Sequence, residues 1–196
     1  MELRKNASIE TRMKVARDPN TPVETLVQLS RDNSWWVRYY VAENPNTPVE
    51  VLVLLSQDED EKIRRAVAGN PNAPIDTLVR LSRDEIRSVC RQVAGNPSTP
   101  VDVLVQLSQD EEARRQVAQN PNTPVETLVQ LSQDEDWWVR YYVAENPNTP
   151  VDILVRLSQD EDEEVRAWVA ENPKWSDPKN QEKIKDAKYL IELGLL

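Results

Sequence analysis

The chain has 196 residues and a formal net charge of −10, with 24 Lys and Arg against 34 Asp and Glu. It contains no His and only three Gly, which removes the commonest general base and metal ligand and leaves no material for a Gly-rich phosphate loop. The acidity disfavours nucleic acid and anionic membranes, no apolar run nears the roughly 20 residues of a membrane span, and the single cysteine, Cys90, cannot close an internal disulfide. With no basic-then-apolar segment at the N-terminus, these features point to a reducing, cytoplasmic setting.

An Asn-Pro or Asp-Pro dipeptide returns at Pro19, Pro45, Pro71, Pro97, Pro121, Pro147 and Pro173, in steps of 26, 26, 26, 24, 26 and 26 residues. A fixed period of this size marks stacked units, each too small to bury its apolar face alone. Taken in chain order, the first unit is a variant over residues 1–18, in which Val15-Ala16 matches Val41-Ala42. Next comes Thr21-Pro22-Val23-Glu24, repeated at Thr47, at Thr123 and, with Asp last, at Thr99 and Thr149. Thr suits an N-cap, Pro suits the first helical position, and the acid can close a capping box. Ala73-Pro74-Ile75-Asp76 lacks the hydroxyl, so that helix start is expected to be weaker by about 1 kcal/mol.

Each cap leads a short helix such as Val49–Leu55, where Val49, Leu52 and Leu55 form the expected buried stripe. A second helix, such as 61–68, turns Ile63 and Val67 to the core. It ends before Asn70-Pro71, because the residue preceding Pro avoids the helical region and Asn satisfies local turn groups. The shortened step near Glu111-Glu112 predicts a local irregularity before Ala113. Beyond residue 173 the pattern lapses: Ser176-Asp177-Pro178 caps a longer helix with Ile184, Ala187, Leu190 and Ile191 inward. No segment alternates long enough for a strand. The expected fold is all-α, about six to seven two-helix repeats of about 26 residues, with a solenoid over 1–173 and a capping helix over 174–196.

The run V-R-x-x-V-A-x-N-P-N-T-P-V-E-x-L-V-x-L-S-x-D, recurring about six times, resembles the leucine-rich repeat variant family. That resemblance implies a right-handed superhelix in which an α-helix alternates with a second, often 3₁₀-like, helix. A founding member also carries an iron–sulfur cluster on cysteines outside the repeats. Ligation takes about four thiolates and this chain has only Cys90, so no cofactor is carried over. Near-identity of the copies is what recent duplication or an idealised, designed sequence would produce.

Comparing copies separates frame from variable surface. Val37, Ile63, Val89, Val139 and Val165 hold one core site, and a Val-Ala pair holds the next. Between them one copy has Trp35, Trp36, Tyr39 and Tyr40, repeated as Trp137, Trp138, Tyr141 and Tyr142, where another has Glu61, Lys62, Arg65 and Ala66. On a helical wheel with Trp35 at zero, Tyr39, Trp36 and Tyr40 lie at about 40°, 100° and 140°, against about 200° and 240° for Val37 and Val41. Tyr39 therefore points farthest from the core. These eight aromatics are the candidate partner-binding residues, since Trp and Tyr dominate binding hot spots and charged residues occupy the equivalent sites elsewhere. The competing reading has the rings fill grooves between repeats. Arg38, Arg64, Arg140 and Arg166 are expected to pair with carboxylates of the next repeat, with Cys90 an incidental thiol in that column. The acidic runs Asp58–Glu61 and Asp160–Glu164 lack calcium-loop spacing and fit helix starts.

The function expected is a non-catalytic scaffold binding protein or peptide, or self-associating, with no catalytic residues, metal or cofactor. The alternatives are single-stranded nucleic acid stacked on the rings, against which the net charge argues, and a designed protein with no natural function.

Overall fold

The structure, a computed structural model, describes residues 7–194. The first six residues of the expected N-terminal variant repeat and the last two of the expected cap lie outside them. The chain divides into two compact units, residues 1–103 and 104–196. Among the described residues every element is helical.

The first unit holds α1 (Ile9–Arg17), α2 (Val23–Leu29), α3 (Trp35–Glu43), α4 (Val49–Leu55), α5 (Glu61–Gly69), α6 (Ile75–Leu81) and α7 (Arg87–Gly95); α8 (Val101–Leu107) spans the division. The second holds α9 (Arg114–Gln119), α10 (Val125–Leu131), α11 (Trp137–Glu145), α12 (Val151–Leu157), α13 (Glu163–Glu171), α14 (Pro173–Ser176) and α15 (Gln181–Glu192). In the first unit α1, α3, α5 and α7 pack in series; in the second α9, α11 and α13 do the same. The short helices fill the joints between them. Both helices of each repeat are α-helical, and the single 3₁₀ turn described is Pro178–Asn180, outside the repeats. The 3₁₀-like second helix implied by the resemblance is thus absent from the described repeats.

Ile63 and Val67 are fully buried, as the spacing predicts. The short helix departs from expectation: Val49 is 46% exposed, and Val51 joins Leu52 and Leu55 in the core. Thr caps the opposite way from prediction. Pro48 is the N-cap of α4 and makes no side-chain cap bond, while Thr47 Oγ1 donates to Val41 O of the preceding helix at 2.5 Å. Thr99, Thr123 and Thr149 do the same to Val93, Val117 and Val143. The hydroxyl closes the end of one helix instead of starting the next, and Ala73 forgoes that bond.

The Asn before each Pro does more than satisfy its own turn. Asn70 Oδ1 accepts from Asn72 N at 2.9 Å, the local part. Its Nδ2 reaches back a whole repeat, to Ala42 O at 2.7 Å and Asn44 O at 3.1 Å. Asn44, Asn96, Asn146 and Asn172 repeat the pattern, all buried. An unpaired buried carbonyl costs about 1–3 kcal/mol, so this ladder fixes how repeats stack.

A second ladder is ionic, as expected. Arg38 forks onto Asp58 at 2.7 and 3.1 Å and also donates to Asp32 O. Arg12–Asp32, Arg64–Asp84 and Arg140–Asp160 have the same geometry. Burial opposes ionisation of Asp32, Asp84 and Asp160, yet the guanidinium and a backbone N–H bring each below the usual carboxylate range. Arg166, at the end of this column, departs from the expected carboxylate pairing and donates to the backbone oxygens of Asp160 and Glu161 instead. Cys90 Sγ occupies the vacated arginine site, 3.3 Å from Asp84 O. The shortened repeat is irregular where predicted. Residues 111–113 form a turn before α9, which has six residues against nine in α11. There Arg114 reaches Asp134 through Nη1 and leaves its buried Nε without a partner.

At the C-terminus Ile184 and Ala187 of α15 pack on Val155 of α12, flanked by Trp175 and Ile191.

Candidate interaction faces

The long helices bury Val37 and Val41 in α3, and Val139 and Val143 in α11, and carry their Trp and Tyr residues on the remaining face, beside the arginine of the ladder. On α3, Trp35 and Trp36 stack with ring centroids 3.9 Å apart, Trp36 lies over Tyr40, and Tyr39 meets both Trp36 and Tyr40 edge-on. On α11, Trp137 and Trp138 stack at 4.2 Å, with Tyr141 and Tyr142 edge-on at 5.1 Å. All eight predicted residues therefore gather into two quartets of touching rings. Trp36 is 43% exposed and Trp138 37%, while the other six rings are half-buried. Tyr39 is not the outermost residue. Its hydroxyl folds back to donate to Glu43 Oε1, and burial together with that bond pushes the phenol up to about 12.

The wheel treated each helix alone, and the difference comes from flanking helices. Lys62 of α5 sits 4.5 Å over the Trp35 ring, and Arg17 of α1 5.8 Å from Tyr40. A groove of about 620 Å³ runs beside the first quartet. Ala66 and Gly69 of α5 line it together with Tyr39 and Tyr40 of α3 and Arg91 and Gln92 of α7. A Cβ at Gly69 would lie 2.9 Å from Gln92 Nε2, the end of a flexible side chain that can move aside. Arg17, Arg65 and Arg91 face the groove against one carboxylate, Glu43.

The second quartet has other neighbours. Residues 102 positions on from Lys62, Arg65, Ala66 and Gly69 are Glu164, Ala167, Trp168 and Glu171. Trp168 stands in register with Ala66 and meets Tyr141 edge-on at 5.2 Å. The units differ likewise in charge: residues 1–103 hold 14 Lys and Arg against 15 Asp and Glu, and residues 104–196 hold 10 against 19. Neither the groove nor this asymmetry follows from the repeat pattern, although the Ala66/Trp168 and Lys62/Glu164 differences were available to a comparison of flanking copies.

Acidic side chains are engaged in the frame: Asp58 and Asp160 in the arginine ladder, Asp60 and Asp162 accepting from N–H groups at the starts of α5 and α13. Among the described residues no three His, Cys, Asp or Glu cluster in a way that could hold a metal, and no helix is long and apolar enough to cross a membrane.

Stacked two-helix units carrying variable outward faces define a helical-repeat protein. The leucine rich repeat variant profile matches residues 35–60, 61–86, 111–136 and 137–162. A solved structure described as "a leucine-rich repeat variant with a novel repetitive protein structural motif" is similar at 32% identity and a TM-score of 0.61, over 85% of this chain. The chain spans 66% of that protein's length. No curated protein sequence matches. This chain belongs to the leucine-rich repeat variant family.

Proposed function

We propose that the chain is a non-catalytic scaffold that binds protein or peptide segments through the aromatic faces of α3 and α11. The observation that carries this is the outward quartet, seen twice: a stacked Trp pair on each of α3 and α11, with Trp36 and Trp138 exposed. Such rings offer large contact area with few rotatable bonds. A reducing, cytoplasmic setting is part of the same proposal, supported by the lone buried thiol.

The test is selection of a displayed random-peptide library on the native chain and on a variant with Trp35, Trp36, Trp137 and Trp138 changed to Ala, with helicity checked by circular dichroism. Peptides enriched on the native chain alone support the proposal. Light scattering over a range of concentrations reads self-association in the same pair. Equal enrichment and equal mass for a folded variant overturn it.

A further inference from the structure

We propose that the groove beside α3 is a docking site for an extended acidic peptide. This rests on the scaffold reading above and assigns a ligand chemistry to one of its two faces. Arg17, Arg65 and Arg91 all belong to residues 1–103 and line the groove, where the single carboxylate, Glu43, already accepts from the Tyr39 hydroxyl. The arginine ladder that holds the frame together is a separate column, so these three guanidinium groups are not its rungs. Arg65 and Arg91 are exposed and offer forked donors that suit carboxylates.

The spacing of the helices sets the peptide's register. Adjacent packed helices lie about 10 Å apart, and a chain in the extended polyproline II form advances about 3.1 Å per residue with about three residues per turn, so one helix step corresponds to one turn and every third side chain faces the groove. Arg91 on α7 and Arg65 on α5 are one step apart, while Arg17 on α1 is two steps beyond Arg65. Between them stand the Tyr39 and Tyr40 rings. The fitting segment carries an acid at one position, a second acid three residues on, an apolar side chain three further and a third acid three beyond that. The second aromatic face is an internal control. There Trp168 stands in register with Ala66, and Gln119 and Ala167 stand in register with Arg17 and Arg65, so the cations proposed to hold the ligand have no counterpart.

The probe is a fluorescein-labelled peptide, Glu-Ser-Ser-Glu-Ser-Ser-Leu-Ser-Ser-Glu, with its Gln counterpart, read by anisotropy at low and high salt. The native chain should prefer the Glu peptide, and added salt should weaken it. Arg65→Glu and Ala66→Trp should each weaken binding about tenfold or more. Ala66→Trp installs the residue that α13 already carries, so a folded variant is expected, checked by circular dichroism. Equal binding of Glu and Gln peptides, or indifference to Ala66→Trp, overturns the site. Tighter, competing binding of a ten-residue oligothymidylate reassigns it to nucleic acid and overturns the acidic peptide. If the Glu peptide fails while library peptides still bind through the Trp residues, only this inference falls; if both fail, the scaffold reading falls with it.

Discussion

The helices α3 and α11 carry the same nine residues, WWVRYYVAE, and fold the same way, yet they present different surfaces. Beside α3, Lys62 and Arg17 ride on the rings and Ala66 and Gly69 leave a groove. Beside α11, Trp168 extends the aromatic cluster and Glu164 and Glu171 stand where Lys62 and Gly69 would be. In a repeat stack, a unit's outward chemistry is set jointly with the units on either side. Duplicating a motif therefore does not duplicate a site.

The largest expected effect tests the part that the two units share. Asn70→Asp and Asn146→Asp each remove two donors to buried carbonyls of the preceding repeat and bury a carboxylate in their place. Each should cost about 3 kcal/mol, read by thermal denaturation, and by a similar amount in both units. A marked inequality would show that the units do not share one frame.

Next, Arg38→Ala and Arg140→Ala each break a forked ion pair and should cost about 2 kcal/mol. The pH dependence has a definite sign. Asp32, Asp84 and Asp160 titrate lower when folded, so their stabilisation is present above the unfolded carboxylate value near 4 and is lost as pH falls through the folded values. Acid should therefore destabilise the native chain below about pH 4, and Arg140→Ala should flatten that slope.

The smallest effect bears directly on the difference between faces. Lys62→Glu gives α5 the charge that α13 has at Glu164, and removes a cation from the Trp35 ring. Loss of the contact should cost about 0.5–1 kcal/mol, with a change in Trp emission, and denaturant titration reads the stability. No change in either would mean that Lys62 does not engage the ring in solution.

Much of the frame was legible in the chain. The 26-residue step, the Val and Leu positions of the core, the Arg-to-carboxylate pairing and the irregularity near Ala113 each follow from local spacing or from copies compared in register. The structure departs from local spacing in bonds that cross from one element to the next and in the packing of the short helix. Thr47 was expected to cap the helix after it and instead donates to the helix before it. Asn70 satisfies its own turn as its position before Pro predicts, but its amide also spans two repeats, which no local pattern shows. Helical spacing predicts Val49 in the core, yet the packing of the short helix selects Val51.

The sequence by itself determined the repeat length, the all-helical class and the membership of both aromatic quartets, because these depend on short-range periodicity and on Pro and Asn acting within a turn. Only the tertiary structure decided which ring is outermost, which face keeps a groove and which cations reach the rings. Those outcomes depend on side chains about 26 residues away in the chain but adjacent in space, and a wheel drawn on one helix contains no neighbour to bury, fill or charge its surface.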